Sequence, residues 1–68
     1  MNINQYFFKN ILWVKKKNTV FYEAEVEGKQ IYLRLNDFPE EPMYTLIVDK
    51  EEKDLDDLPS CWKLRLGN

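Results

Sequence analysis

Any chemistry in this chain must come from carboxylates, lysines and aromatic rings, because the side chains that usually drive catalysis are missing. There is no histidine and a single cysteine, Cys61. The commonest general base is therefore absent, and neither Cys61 nor Ser60 has an imidazole to activate it. Two glycines, Gly28 and Gly67, cannot build a phosphate-cradling loop. Carboxylates are plentiful enough to pair for acid–base work, but 68 residues leave little room for a cleft that desolvates one of them. The expectation is a protein that is not an enzyme and carries no cofactor.

The stretch Asp49–Ser60 (DKEEKDLDDLPS) invites comparison with a calcium loop. With Asp49 at the first position, Lys53 falls on a ligand position and Asp54 where the sharp turn needs glycine. Ser60 falls where a bidentate glutamate belongs. The pattern fails at all three, so a solvated acidic turn is expected and no metal. Cys61, with no second cysteine to pair with, is expected beside Trp62 in or near the core, as free cysteines usually are.

The charges are unevenly spread. Residues 37–57 hold nine acids against two lysines, a net −7, while the remainder holds eight bases against three acids, a net +5. Such an excess in a short segment is more than solubility requires. Carboxylates on a rigid scaffold complement a basic surface on another protein, and Phe38, between Asp37 and Pro39, is suited to anchor such a contact. The docking residues expected on this reading are Asp37, Phe38, Glu40, Glu41, Asp54, Asp56 and Asp57, with a basic protein as partner. Small size, acidity and the lack of catalytic groups form a logic shared by small inhibitors, immunity proteins and antagonists. It is a generic likeness with no family motif behind it.

Two alternatives use other residues. Lys15–Lys17 with outward-facing Phe21, Tyr32 and Arg34 could serve as a single-stranded nucleic-acid platform. The acidic balance opposes phosphate unless the basic half is segregated. The third reading is a homodimeric accessory protein that seals its strand edges against a second copy.

The elements that must position these residues centre on Thr19–Asn36 (TVFYEAEVEGKQIYLRLN), two alternating runs joined at Glu27–Gly28. With those two as the loop, Val26 faces Lys29, Ala24 faces Ile31, Tyr22 faces Leu33 and Val20 faces Leu35. Both apolar sets then share one face, as a period of two demands. Gly28 suits the positive φ of a tight primed turn.

Around this hairpin, residues 2–10 are expected to form a short helix capped by Asn2 or Asn4, with Ile3, Phe7 and Ile11 at one-turn spacing. The β propensity of Tyr6–Phe8 makes a strand its rival. Leu12–Lys15 reads as a first strand, 16–18 as a turn, 37–42 as a prolyl loop and Met43–Asp49 as a fourth strand. Lys50–Lys53 reads as a polar turn and 54–60 as an irregular corner, since Pro59 turns Leu58 away from helical angles. Trp62, Leu64 and Leu66 alternate as a short final strand, with Gly67–Asn68 fraying.

The fold class expected is α+β. It is a single small domain over 1–68, with a four- to five-stranded antiparallel sheet built on the 19–36 hairpin and a short N-terminal helix on one face. The alternation leaves Trp13, Phe38 and Trp62 open between core and interface. The apolar run 11–14 is too short for a secretory h-region or a membrane span, and its lysines follow it rather than precede it. With the lone cysteine, this suggests a cytoplasmic protein with no membrane partner.

Overall fold

The structure, a computed structural model, describes residues 3–67; the expected Asn2 cap and Asn68 lie outside them. A short 3₁₀ helix, η1 (Ile3–Phe8), leads into six strands: β1 (Ile11–Lys15), β2 (Phe21–Val26), β3 (Lys29–Leu35), β4 (Tyr44–Val48), β5 (Glu51–Leu55) and β6 (Trp62–Leu66). They form one mixed sheet in the order β5-β4-β3-β2-β1-β6. β1 to β5 run as an antiparallel meander, and β6 returns to pair with β1 in parallel, Ile11 against Trp62 through Lys15 against Leu66.

The central hairpin has the register that alternation dictates, from Val26 against Lys29 to Phe21 against Arg34. Its loop residues Glu27 and Gly28 both take positive φ, 53° and 81°, as a primed two-residue turn requires. The pairing of Val20 with Leu35 survives as one bond, Leu35 N–H to the Val20 carbonyl at 2.8 Å. Asn36 leaves the ladder to organise the next loop.

Three features depart from the expected architecture. The N-terminal element is a six-residue 3₁₀ helix, so the molecule is mostly β and not a clear α+β fold. The expected polar turn and the start of the expected corner form strand β5, paired with β4 from Val48–Glu51 to Tyr44–Leu55. Its sequence, EEKDL, offers no apolar alternation, and its pairing comes from the backbone and from the turn at Asp49, whose φ is 55°. Finally, the last strand is parallel to β1, which makes the sheet mixed. Gly67 does not fray but extends this ladder, its N–H bonding the Lys15 carbonyl at 2.7 Å.

Register sorts the side chains into two faces. Trp13, Ala24, Ile31, Leu33, Leu46, Val48 and Trp62 are buried on the concave face, with Ile11 and Tyr6 completing the core. Both tryptophans are thus core residues. Trp62 stacks edge-on to Trp13 with centroids 5.2 Å apart and meets Phe7 at 5.7 Å. Its indole N–H donates to the Tyr6 carbonyl at 2.8 Å, and the Cys61 thiol donates to the Phe7 carbonyl at 3.3 Å. These bonds fasten η1 to the start of β6.

Phe7 also reports on curvature. The Lys53 ammonium on β5 lies 5.9 Å from its ring centroid, while Trp62 on β6 touches the same ring. In a flat sheet, five interstrand steps of about 4.8 Å would hold those edge strands about 24 Å apart. The sheet therefore curves so that side chains from both edge strands converge on Phe7, with η1 lying between them on the concave side.

Trp62→Ala should destabilise the protein by about 3–5 kcal/mol, a large share of the total for so small a domain. Chemical denaturation followed by circular dichroism measures it. A loss below about 1 kcal/mol would mean that η1 and the curl are held by something else.

Candidate functional site

The carboxylates singled out by sequence are carried by two segments that the sheet brings to one end. The β3–β4 loop holds Asp37, Phe38, Glu40 and Glu41, and Asp56 and Asp57 follow β5. Because Leu35 pairs with Tyr44 and Tyr44 with Leu55, the exit of β3 and the exit of β5 flank the entry of β4. Asp37, Glu40, Glu41, Asp56 and Asp57 are all exposed at this end.

The loop is built on polar contacts. Asn36 donates its amide Nδ2 to the Pro42 carbonyl at 2.9 Å and to Thr45 Oγ1 at 2.8 Å. Its Oδ1 accepts from Arg34 Nε at 2.8 Å, and its backbone N–H reaches the Met43 carbonyl at 3.1 Å. Within the loop, Glu41 N–H bonds the Asp37 carbonyl at 2.9 Å while the Glu41 carboxylate accepts from the Asp37 N–H at 3.0 Å. The Phe38–Pro39 peptide is cis, and Phe38 is 57% exposed. These reciprocal bonds hold Phe38 outward between acids.

Asp54 stands apart from the other predicted acids. It lies on the convex face of β5, where its Oδ1 accepts from the Thr45 hydroxyl at 2.9 Å. Thr45 is fully buried and links Asp54 to Asn36, so Asp54 steadies the loop from behind. Asp57 Oδ1 accepts from the Leu58 N–H at 2.8 Å. The rest of the acidic segment lies at the opposite end, where Asp49 pairs with Lys29, and Glu27 of the hairpin loop pairs with Lys9. No ion pair among the described residues involves Asp37, Glu40, Glu41, Asp56 or Asp57.

Beside Asp57 an open hollow of about 300 Å³ is lined by Phe7, Leu55, Leu58 and Pro59. Sequence reasoning missed it. The signal was Leu55 and Leu58 on one side of the corner, and its partner, Phe7, comes from the opposite end of the chain. Asn36 and Thr45 were likewise overlooked. A threonine inside an apolar strand, nine positions after Asn36 ends the preceding one, was their only trace.

The basic, aromatic set is only partly assembled. Phe21 and Tyr32 meet edge-on at 6.4 Å on the convex face, and Tyr32 is 38% exposed. Arg34, however, is engaged by Asn36, and Lys15 Nζ donates to the Thr19 carbonyl at 3.1 Å. Lys16 and Lys17 remain exposed in the β1–β2 turn. Among the described residues no cluster of three or more His, Cys, Asp or Glu side chains is arranged to hold a metal. No described helix is long and apolar enough to cross a membrane.

Comparison with known protein families, with characterised proteins and with solved structures finds no match to this chain. The reading of the site therefore rests on its own geometry.

Two groups are shifted upward. Burial, aided by the neighbouring Tyr44 phenol, raises the Tyr22 hydroxyl, and the hydrogen bond and charge of Asp49 raise Lys29. Both hold their protons more tightly folded than unfolded, so their contribution is complete below about pH 10 and is lost as pH rises through the folded values.

Two outcomes follow. Thr45→Val should cost about 1–2 kcal/mol, because Asp54 and Asn36 lose a buried partner, and should speed hydrogen exchange in residues 36–43 more than in β2. Uniform acceleration would place the hub's effect elsewhere. Thermal stability should fall above about pH 10, and less steeply in Tyr22→Phe; identical slopes would remove Tyr22 from the effect.

Proposed function

We propose that this is a non-enzymatic binding protein whose acidic end docks a basic protein partner. The observation that carries the reading is the placement of Asp37, Glu40, Glu41, Asp56 and Asp57 at the same end of the sheet as exposed Phe38, with no ion pair to them among the described residues. Exposed carboxylates of one sign steer a cationic partner and set its register. An aromatic side chain held outward gives the contact a desolvated centre. The hollow beside Asp57 adds an apolar seat with a carboxylate at its rim, a fit for the aliphatic stem and charged head of lysine or arginine. Asp54 contributes by bracing the loop.

The second reading, a single-stranded nucleic-acid module, is favoured by the Phe21–Tyr32 pair on the convex face. Base stacking needs open rings above a cationic track. Of the cations singled out for that track, Arg34 and Lys15 are bonded within the fold, which leaves Lys16 and Lys17.

The immobilised protein, exposed to lysate of its native host and washed at low and high salt, should retain one basic protein that high salt releases. Reversal at Glu40→Lys/Glu41→Lys or at Asp56→Lys/Asp57→Lys should weaken retention by about tenfold or more. Unchanged retention by both variants would sink the acidic-end reading. Nuclease-sensitive recovery of ribonucleoproteins would move the function to the convex face.

A further inference from the structure

The same end of the sheet carries an apolar centre. Of the seven large hydrophobic side chains exposed among the described residues, four are here: Val20, Leu35, Phe38 and Leu66, the last 71% exposed. Val20 and Leu35 are bonded neighbours at the mouth of the concave face, and Leu66 pairs with Lys15. η1 is fastened where β6 begins and reaches this end only through Phe7, beside Leu55 and Leu58, while Val20 and Leu35 stay exposed. Apolar side chains left exposed at one end of a sheet, with Val20 and Leu35 adjacent at its middle, are a candidate interaction surface.

Charge identifies what covers it. Strand order lays the exits of β5 and β3 on one side, with Asp56, Asp57, Asp37, Glu40 and Glu41. The β1–β2 turn and the exit of β6 lie on the other, with Lys16, Lys17 and Arg65. The Val20–Leu35 pair lies at the boundary between β2 and β3. A surface with an apolar centre, an acidic half and a basic half is complementary to its own copy turned by a twofold axis.

We propose that this end is the self-association surface of the protein, two copies meeting end to end about an axis through the Val20–Leu35 boundary. The axis runs perpendicular to the line from acidic to basic half. It brings the lysines of each copy over the carboxylates of the other, and it exchanges Phe38 with the Leu66 side.

The sheet edges, the other route to a dimer, are charged against it. In-register antiparallel pairing of β5 with its copy about Lys53 sets Glu52 opposite Asp54. The same pairing of β6 about Leu64 sets Lys63 opposite Arg65. Like charges directly opposite are destabilising and blunt edges against such pairing. A standard interface buries about 800 Å² per partner, roughly a sixth of the 4960 Å² this chain exposes, which is within reach of one end of the molecule.

This inference is independent of the basic-partner reading, since it is tested on the purified chain alone. If both hold, a second copy's lysines occupy the carboxylates that the partner would use, so self-association and partner binding compete.

Sedimentation of the purified chain at low salt should show mass rising from monomer to dimer with concentration. Lys16→Glu/Lys17→Glu and Glu40→Lys/Glu41→Lys should each weaken the dimer by about tenfold or more, and an equimolar mixture of the two should restore it. Circular dichroism checks that both variants fold. Should either misfold, Val20→Ser/Leu66→Ser, which removes apolar contact and no charge, should weaken the dimer in its place. A monomer at every concentration would overturn the proposal. So would a dimer indifferent to all these changes, or charge-reversed variants that fail to recombine.

Discussion

The indole of Trp62 is the contact on which the rest of the molecule depends. It is buried, its N–H bonds the Tyr6 carbonyl, and its ring meets both Trp13 and Phe7. A single 3₁₀ segment of six residues has little stability of its own, because its hydrogen bonds are few and poorly aligned. Trp62 supplies the missing partner. Through Phe7 the contact extends to Lys53 on the far edge strand, so one side chain helps cover the concave face and hold the curl. In a chain with no disulfide to limit its unfolded state, aromatic burial of this kind does much of the stabilising. The same neighbourhood carries a debit: Trp13 Nε1 is buried with no hydrogen-bond partner among the described residues, a desolvation that its packing must outweigh.

A second, polar constraint governs the acidic end. Thr45 is the only buried polar residue among those described, and it is fully satisfied, accepting from Asn36 and donating to Asp54. Buried polar groups with every bond made rigidify their surroundings. The β3–β4 loop accordingly springs from a fixed base, and Phe38 is presented without the ordering penalty that a slack loop would add on binding.

What could be read from sequence was what alternates. The hairpin register, the concave sets Tyr44–Leu46–Val48 and Trp62–Leu64–Leu66, and the turn at Glu27–Gly28 follow from period two and one glycine. β5 escaped because Glu51–Asp54 has no apolar period; its strand character is imposed by the exposed edge of β4. The direction of β6 escaped because alternation is blind to polarity, and only the chain's passage back along the gap between the edges makes it parallel to β1. The site was half legible for the same reason. Asp37–Glu41 stood out as an acidic loop, but its meeting with Asp56 and Asp57 depends on β5, and the division of labour that sets Asp54 behind the loop depends on Thr45.

The parallel strand also dictates the order of events when the chain folds. β1 lies between β2, its neighbour in sequence, and β6, which reaches it from the far end of the chain as Trp62 settles against Ile11. The meander can assemble from local pairings, yet the clamp on η1 and the burial of Trp13 wait for that last partner. Contacts of such long sequence separation close slowly. On the ribosome, the nascent β1–β5 segment must therefore persist with an unfilled concave face and an open β1 edge until Leu66 has emerged, a window in which incomplete β structure is prone to wrong pairing.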